Sequence, residues 1–300
     1  MSIIVSNISK KYGEQLALNN VSFEVGDNQI VGFLGPNGAG KSTMMKILTC
    51  YLPPSGGKAS VCGFDIHQNS LEVRKQIGYL PEHNPLYHDM YVKEFLGFVA
   101  GIYRMKNVPK KVAEMIELTG LEKEQNKKIA ALSKGYKQRV GIAQAMIHDP
   151  KVLIMDEPTT GLDPNQLEEI RNLIKSLGQH KTVMLSTHIM QEVEAICNRV
   201  IIINKGEIVA NDETKHLQSQ STRQIITVEF DQAIEVEALK QIPMVDFVVA
   251  IGPNKWQINS STNTDIRKAL FDFAIAKQIT VLTLQKEEQS MESVFKSLTK

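Results

Sequence analysis

The twelve residues GFLGPNGAGKST, positions 32–43, constrain the fold of this chain more than any other stretch. They contain Gly35-x-x-x-x-Gly40-Lys41-Ser42, with the apolar run IVGFL leading in and TMMKILT, a plausible helix, leading out. A strand, a glycine-rich loop and a helix in that order make a phosphate-binding loop. The small and turn-forming residues Gly35, Pro36, Gly38, Ala39 and Gly40 let the backbone N–H groups of Asn37 through Ser42 curl around phosphate oxygens. The helix that follows points its positive end at the same anion. Lys41 adds a full charge near the terminal phosphates, and Ser42, with Thr43 beside it, can offer a hydroxyl to Mg²⁺.

Ligands of open α/β sheets sit at the carboxyl edge of the strands, so other strand ends are expected to converge on this loop. KVLIMDEP places Asp156 at the end of a buried strand, where it can hold Mg²⁺ through water. Glu157 follows directly and can act as base on a water attacking a γ-phosphate, a contribution of about 10²–10⁴-fold. Without the phosphate loop this acidic pair would read as a solvated strand end. LSTHIM puts His188 just beyond the strand TVMLS. A lone histidine is usually a hydrogen-bonded structural residue, but at a third converging strand a γ-phosphate contact is the better reading. IGYLPEH puts Glu82 after another short strand, within reach of the metal or the attacking water. Taken alone it would be a surface acid. Tyr12, in KKYGE, offers a flat face to adenine; taken alone it would be a turn aromatic.

The chain has 300 residues, 34 basic and 33 acidic, for a net charge of +1. That length suits about two domains, and the balanced charge argues against a nucleic-acid partner. No run approaches about 18 consecutive apolar residues, so no bilayer span is expected. MSIIVSNISKKYGE lacks a basic segment followed by an apolar core, so no export signal is expected. Cys50, Cys62 and Cys197 are too few and too scattered for a disulfide framework or a zinc site, which points to a reducing cytosol. The first 35 residues read as strands, with Val21, Phe23 and Val25 alternating with Ser22 and Glu24. From 36 to 200 the pattern becomes strand, loop and helix in repetition, with a helix-rich insert over 92–148. VIIINKGEIVAND, 200–212, reads as a hairpin turned at Lys205-Gly206. Beyond 218 the strands QIITVEF, DFVVAI, KWQIN and ITVLTL alternate with helices near 234–242, 264–277 and 290–298. In the last of these, Met291, Val294, Phe295 and Leu298 share one face.

One stretch holds no metal ligand, nucleophile or base. LSKGYKQRV, 132–140, could be an ordinary capped surface helix, since Ser133 suits an N-cap. However, GPNGAGKST, LSKGYKQRV, KVLIMDEP, TTGLDP and the STH at 186–188 occur in the order and spacing of ATP-binding cassette (ABC) transporter ATPase subunits. Residues 2–218 resemble that family. The remainder resembles the small C-terminal domain of cassettes that pair with ABC-2 type permeases, and the whole chain is similar to the ATPase subunit linked to bacterial gliding motility.

The resemblance implies an α/β fold of the ABC-type P-loop NTPase class. It would have a parallel-rich core sheet, an antiparallel β subdomain and a helical subdomain over about 86–150. An ABC cassette would occupy 1–218 and a small α+β accessory domain 219–300. It implies an ATP-hydrolysing subunit, with ATP and Mg²⁺ as cofactors, that powers an ABC-2 type exporter. The implied partners are a membrane-embedded permease and a second cassette in a homodimer. The implied place is the cytoplasmic face of the cell membrane. LSKGYKQRV would then be the signature motif. Its Ser133 and the N–H of Gly135 would bind the ATP held by the partner cassette, so the stretch has no partner within its own chain. Tyr12 would stack on adenine, Asp156 support Mg²⁺, Glu157 act as base, His188 as switch histidine, and Asp163 couple the two sites. Glu82 stands where the family usually carries Gln, and Lys134 and Tyr136 replace the commoner Gly and Gln. Two rivals differ in class: a soluble ABC ATPase working on ribosomes or DNA, and a regulatory module that holds ATP without turning it over. The single cassette, the absence of a long coiled-coil insertion and the neutral charge count against the first, and Glu157 against the second.

Overall fold

Side-chain alternation decides the first sheet, and continuous burial decides the second. In the computed structural model, which describes residues 1–219, 224–262, 264–287 and 295, the chain divides into two compact units, Met1–Thr214 and Lys215–Lys300. The first begins with β1 (Ile3–Tyr12) and β2 (Gln15–Val25), an antiparallel pair whose Val21, Phe23 and Val25 are buried while Ser22 and Glu24 are exposed. Then β3 (Ile30–Leu34) enters the phosphate loop and α1 (Lys41–Leu48) leaves it. Next come β4 (Gly56–Val61), β5 (Phe64–Asp65), α2 (Ser70–Gln76) and β6 (Ile77–Leu80). The helical insert holds α3 (Val92–Ile102), α4 (Val108–Leu118) and α5 (Lys134–Met146). The unit ends with β7 (Val152–Asp156), α6 (Pro164–Gly178), β8 (Thr182–Thr187), α7 (Met190–Ile196), β9 (Arg199–Asn204) and β10 (Glu207–Glu213).

The central sheet has the order β10-β9-β3-β8-β7-β6, parallel except for the β10 hairpin strand. Every residue of β3, β7 and β8 is buried, as a sheet covered on both faces requires. A smaller antiparallel sheet, β2-β1-β4-β5, lies against α1. Met44, Met45, Ile47 and Leu48 of α1 share one core with Ile3 and Leu18 of that sheet and with Val152 and Met184 of the central one. Each such side chain contributes roughly 1.5–3 kcal/mol by leaving water. The strand–loop–helix repetition expected from 36 onward is therefore interrupted. Residues 56–65 return to the first sheet, pairing through β4 with β1. Only Ala59 and Val61 of this strand enter the core, and with Gly56, Gly57 and Lys58 exposed ahead of them the apolar alternation is too short to mark a strand in the sequence.

The second unit opens with α8 (Thr214–Ser219), whose first residue closes the first unit. It comprises β11 (Gln224–Phe230), α9 (Val236–Lys240), β12 (Phe247–Gly252), β13 (Lys255–Ser260), α10 (Arg267–Lys277) and β14 (Val281–Glu287). Its antiparallel sheet runs β12-β13-β11-β14, the ferredoxin-like split βαβ arrangement. Val228, Phe230, Trp256 and Ile258 of the sheet pack on Leu239 of α9 and Leu270 of α10. The helix expected from 264 starts later, because the Asp265 carboxylate accepts from the Arg267 N–H at 3.0 Å and sets the entry. The strand expected over 279–284 runs on to Glu287, which pairs with Ile225. The helix expected over 290–298 lies outside the described residues except for Phe295, which is buried.

Candidate functional site

Four strand ends of the central sheet build the site. β3 runs into the phosphate loop, β7 into Glu157, β8 into His188, and β6 ends two residues before Glu82. Parallel register sets Leu34 beside Thr187 and Asp156 beside Ser186, so Gly35, Glu157 and His188 leave the sheet at one level. The loop is held by its neighbours. Gly35 N–H donates to the Thr187 carbonyl at 3.3 Å, and Gly206 N–H, at the tip of the β9–β10 hairpin, donates to the Ala39 carbonyl at 3.1 Å. The Gly206 carbonyl in turn accepts from Asn19 N–H of β2 at 2.9 Å. Lys41 is buried and folds over the loop, its Nζ donating to the carbonyls of Gly35 at 2.8 Å and Pro36 at 3.2 Å.

Glu157 occupies the left-handed region at φ +50°, a conformation that costs a non-glycine residue about 1–2 kcal/mol. Ser186 holds it there: Glu157 N–H lies 3.0 Å from the Ser186 Oγ, and that hydroxyl donates to the Asp156 carboxylate. The Glu157 carboxylate is only 8% exposed. Its Oε1 lies 3.5 Å from Lys41 Nζ, and its Oε2 accepts from Thr160 Oγ1 at 3.1 Å and from His188 Nδ1 at 2.9 Å. A carboxylate only accepts, so Nδ1 carries the proton in this contact and Nε2 is the ring's remaining polar atom. These three contacts fix the orientation of the carboxylate at the wall of the cleft.

These groups share one cleft of ≈ 610 Å³. Asn37, Gly38, Gly40, Lys41, Ser42 and Thr43 form its floor; Tyr12, Glu82, Glu157, Thr160 and His188 form its walls. Tyr12 is half exposed, and Lys10 Nζ stands over one face of its ring, 5.4 Å from the centroid. Asp156 is buried and lines an adjoining cavity of ≈ 620 Å³ together with Ser42 and Glu82. One hydroxyl and two carboxylates are hard oxygen donors, a set that suits Mg²⁺ completed by phosphate and water. Among the described residues there is no cluster of three or more His, Cys, Asp or Glu side chains for a dedicated metal cage. Tyr79 lines the same cavity with a buried hydroxyl; its desolvation, reinforced by the nearby Asp156, pushes its pKa up.

Ser133, Gly135 and Asp163 lie outside the cleft. Ser133 caps α5, its Oγ accepting from Tyr136 N–H at 3.4 Å, and Asp163 caps α6 by accepting from Gln166 N–H at 2.9 Å. The expectation that the signature stretch has no partner within its own chain needs correction. Gln166 Nε2 donates to Ser133 Oγ at 3.2 Å, because the exposed cap of α5 sits beside the first turn of α6. Sequence reasoning also passed over Thr160, Ser186, Tyr79 and Gln166. Thr160 and Ser186 sit inside TTGLDP and STH and were within reach of a hydroxyl-by-hydroxyl reading. Tyr79 and Gln166 acquire their surroundings only from the tertiary fold.

The family model described as ABC transporter matches residues 18–160. The uncharacterized ABC transporter ATP-binding protein YxlF of Bacillus subtilis (strain 168) is 34% identical, over 97% of this chain and 97% of its own length. The chain belongs to the ABC transporter ATP-binding family. The linearmycin resistance ATP-binding protein LnrL of the same organism is 32% identical, over 98% of this cassette protein and 96% of its own. A solved dimeric ATP-binding cassette in a post-hydrolysis state, bound to ADP and phosphate, superimposes with a TM-score of 0.64 and 29% identity. That match covers 70% of this chain and 98% of the solved one. The ABC protein described here is thus an ATPase, the ATP-binding subunit of a transporter. Subunits of this family dimerise and work with membrane permease components. These relatives are transporter proteins and give no support to the ribosome or DNA reading. Among the described residues, no helix of this ABC subunit is long and apolar enough to cross a membrane.

Proposed function

We propose that this subunit works as a homodimer in which each ATP lies between the cleft of one protomer and the Ser133–Gly135 turn of the other. The observation that carries this reading is a separation. Tyr12, the phosphate loop, Glu82, Glu157 and His188 share one cleft, while Ser133 and Gly135 lie outside it at the amino end of α5. A helix start with an exposed hydroxyl is a ready anion site, and a two-fold axis would give two equivalent composite centres. ATP contacting both halves would close the dimer, since a ligand shifts an equilibrium by its differential affinity. Asp163, capping the helix beside the signature, would link one centre to the other.

Within each centre Tyr12 stacks on adenine, and the N–H groups of Asn37 through Ser42, with Lys41, hold the phosphates. Mg²⁺, held by Ser42, Asp156 and Glu82, would neutralise charge on the terminal phosphates. Glu157 takes a proton from the attacking water, and His188 orients against the γ-phosphate while its Nδ1–H is fixed on Glu157. The cassette is read as 1–218, its helical subdomain as about 86–150, and 219–300 as an accessory domain. A permease at the inner face of the cell membrane would dock beside the helical insert. In support of this, a groove of ≈ 490 Å³ there is lined by Tyr87, Phe98, Ile102 and Tyr103, all exposed. The ABC-2 export class follows from the resemblance and agrees with a relative named for linearmycin resistance. A gliding-motility role rests on sequence resemblance alone.

The test mixes Ser133→Ala and Lys41→Ala subunits. Each parent should be inactive. A random mixture should recover up to about a quarter of wild-type ATPase activity, because half the dimers keep one intact centre out of two. No recovery, with heterodimers demonstrated by mass, would exclude the composite site.

A further inference from the structure

The most deeply buried acid among the described residues is one that the proposed reaction does not use. Glu192, on α7, has 0% exposure, compared with 2% for Asp156 and 8% for Glu157. Its Oε2 accepts from Thr187 Oγ1 at 3.0 Å, and its Oε1 has no partner among the described residues. Burying an ionisable group with one oxygen unpaired opposes folding, and an apolar side chain would avoid that cost. The neighbouring geometry gives the carboxyl a purpose.

Three hydrogen bonds close a ring around residue 188. Ile189 N–H donates to Thr187 Oγ1 at 3.0 Å, Thr187 Oγ1 donates to Glu192 Oε2, and Glu192 N–H donates to the Ile189 carbonyl at 3.2 Å. Because the Thr187 hydroxyl already accepts from Ile189, its own proton needs an acceptor in a site with no water access. Only an oxygen at position 192 supplies one. Thr187 is also tied to the phosphate loop, since its carbonyl accepts from Gly35 N–H. The peptide on each side of His188 is therefore fixed relative to the loop, while the ring rests on Glu157.

We propose that Thr187 and Glu192 are positioning residues, a buried latch that holds the His188 peptide so that its imidazole meets Glu157. The latch acts through His188 and touches no substrate. Its catalytic consequence rests on the role given to His188 above; its geometric consequence does not.

The test uses the full-length chain with Thr187→Val, Glu192→Leu and Glu192→Gln. Valine matches threonine in shape, so Thr187→Val stays informative even if Glu192→Leu fails to fold. The imidazole ¹⁵N resonances of His188, assigned with a His188→Gln control and read at fixed pH, report the ring's hydrogen bond directly. Thr187→Val should shift or broaden them and lower kcat about tenfold, with KM for ATP within twofold, since small misplacements near a reacting centre cost one to two decades. Glu192→Gln keeps the acceptor oxygen and should retain most of the rate. In a His188→Ala background, Thr187→Val should lower kcat no further, whereas a purely structural residue would lower it by the same factor again. Unchanged His188 resonances in Thr187→Val overturn the latch. Altered resonances with unchanged kcat leave the latch in place and overturn the role given to His188.

Discussion

Gln138 Nε2 donates to the carbonyl oxygen of Pro158 at 2.7 Å. The first residue of that pair lies on the signature helix α5, and the second directly follows Glu157. One side-chain amide thus joins the part of a protomer that would read the partner's nucleotide to the part that would hydrolyse its own. Gln138→Ala removes a bond worth about 0.5–1.5 kcal/mol. The expected result is ATPase activity lowered about 3–10-fold with a Hill coefficient closer to one, measured by steady-state hydrolysis against ATP concentration. An unchanged Hill coefficient would show that coupling runs elsewhere.

Glu157→Gln should keep the shape of the site and remove its proton acceptor. Hydrolysis is expected to fall at least about 100-fold, and an ATP-bound dimer should accumulate on size-exclusion chromatography. Because Lys41 Nζ also donates to the carbonyls of Gly35 and Pro36, the lysine keeps partners in the variant and nucleotide affinity should survive.

Two glycines of the phosphate loop should respond differently to alanine. At Gly40, φ is +107° and a Cβ would sit 2.7 Å from the Ala17 carbonyl oxygen. At Gly38, φ is +79° but nothing lies within 4 Å. Gly40→Ala should therefore add overpacking of about 1–3 kcal/mol to backbone strain and abolish ATP binding. Gly38→Ala should show only the strain, about 1–2 kcal/mol. Urea midpoints at constant m-value separate the two.

Much of this site was legible because its determinants are local in sequence. Gly35 through Thr43, Asp156-Glu157 and His188 each sit at the end of an apolar run, and the run predicts where the side chain emerges. The hairpin at Lys205-Gly206 was legible for the same reason. The return of Gly56–Val61 to the first sheet was not, since only Ala59 and Val61 bury side chains there and two alternate positions after two glycines make too short a pattern. The partners of Gln138, Gln166 and Glu192 were hidden too. An amide or carboxyl acquires a specific acceptor or donor only once α5, α6, α7 and the strand ends are packed together.

His148 gives the helical insert a pH dependence. Its ring stacks on Tyr103 with centroids 4.1 Å apart, and Nε2–H donates to the Ile77 carbonyl at 3.0 Å. Burial pushes its pKa below the ordinary value of 6.5. The unfolded chain therefore takes up a proton first as the solution is acidified, so stability is complete above about 6.5 and is lost as pH falls from there through the depressed native value. Wild type should melt lower at pH 5.5 than at pH 7.5, and His148→Gln, which cannot titrate, should show a smaller difference by calorimetry.

The tip of the β9–β10 hairpin, bonded on one side to Ala39 and on the other to Asn19, gives the nucleotide a standing mould. Its curvature is set by neighbouring strands when the chain folds, so the ordering entropy of the loop is lost once and not again at every arrival of a fresh nucleotide. A motor that must discharge spent product and reload repeatedly can then capture its fuel at a pace governed by diffusion and charge, without rebuilding its cradle between strokes.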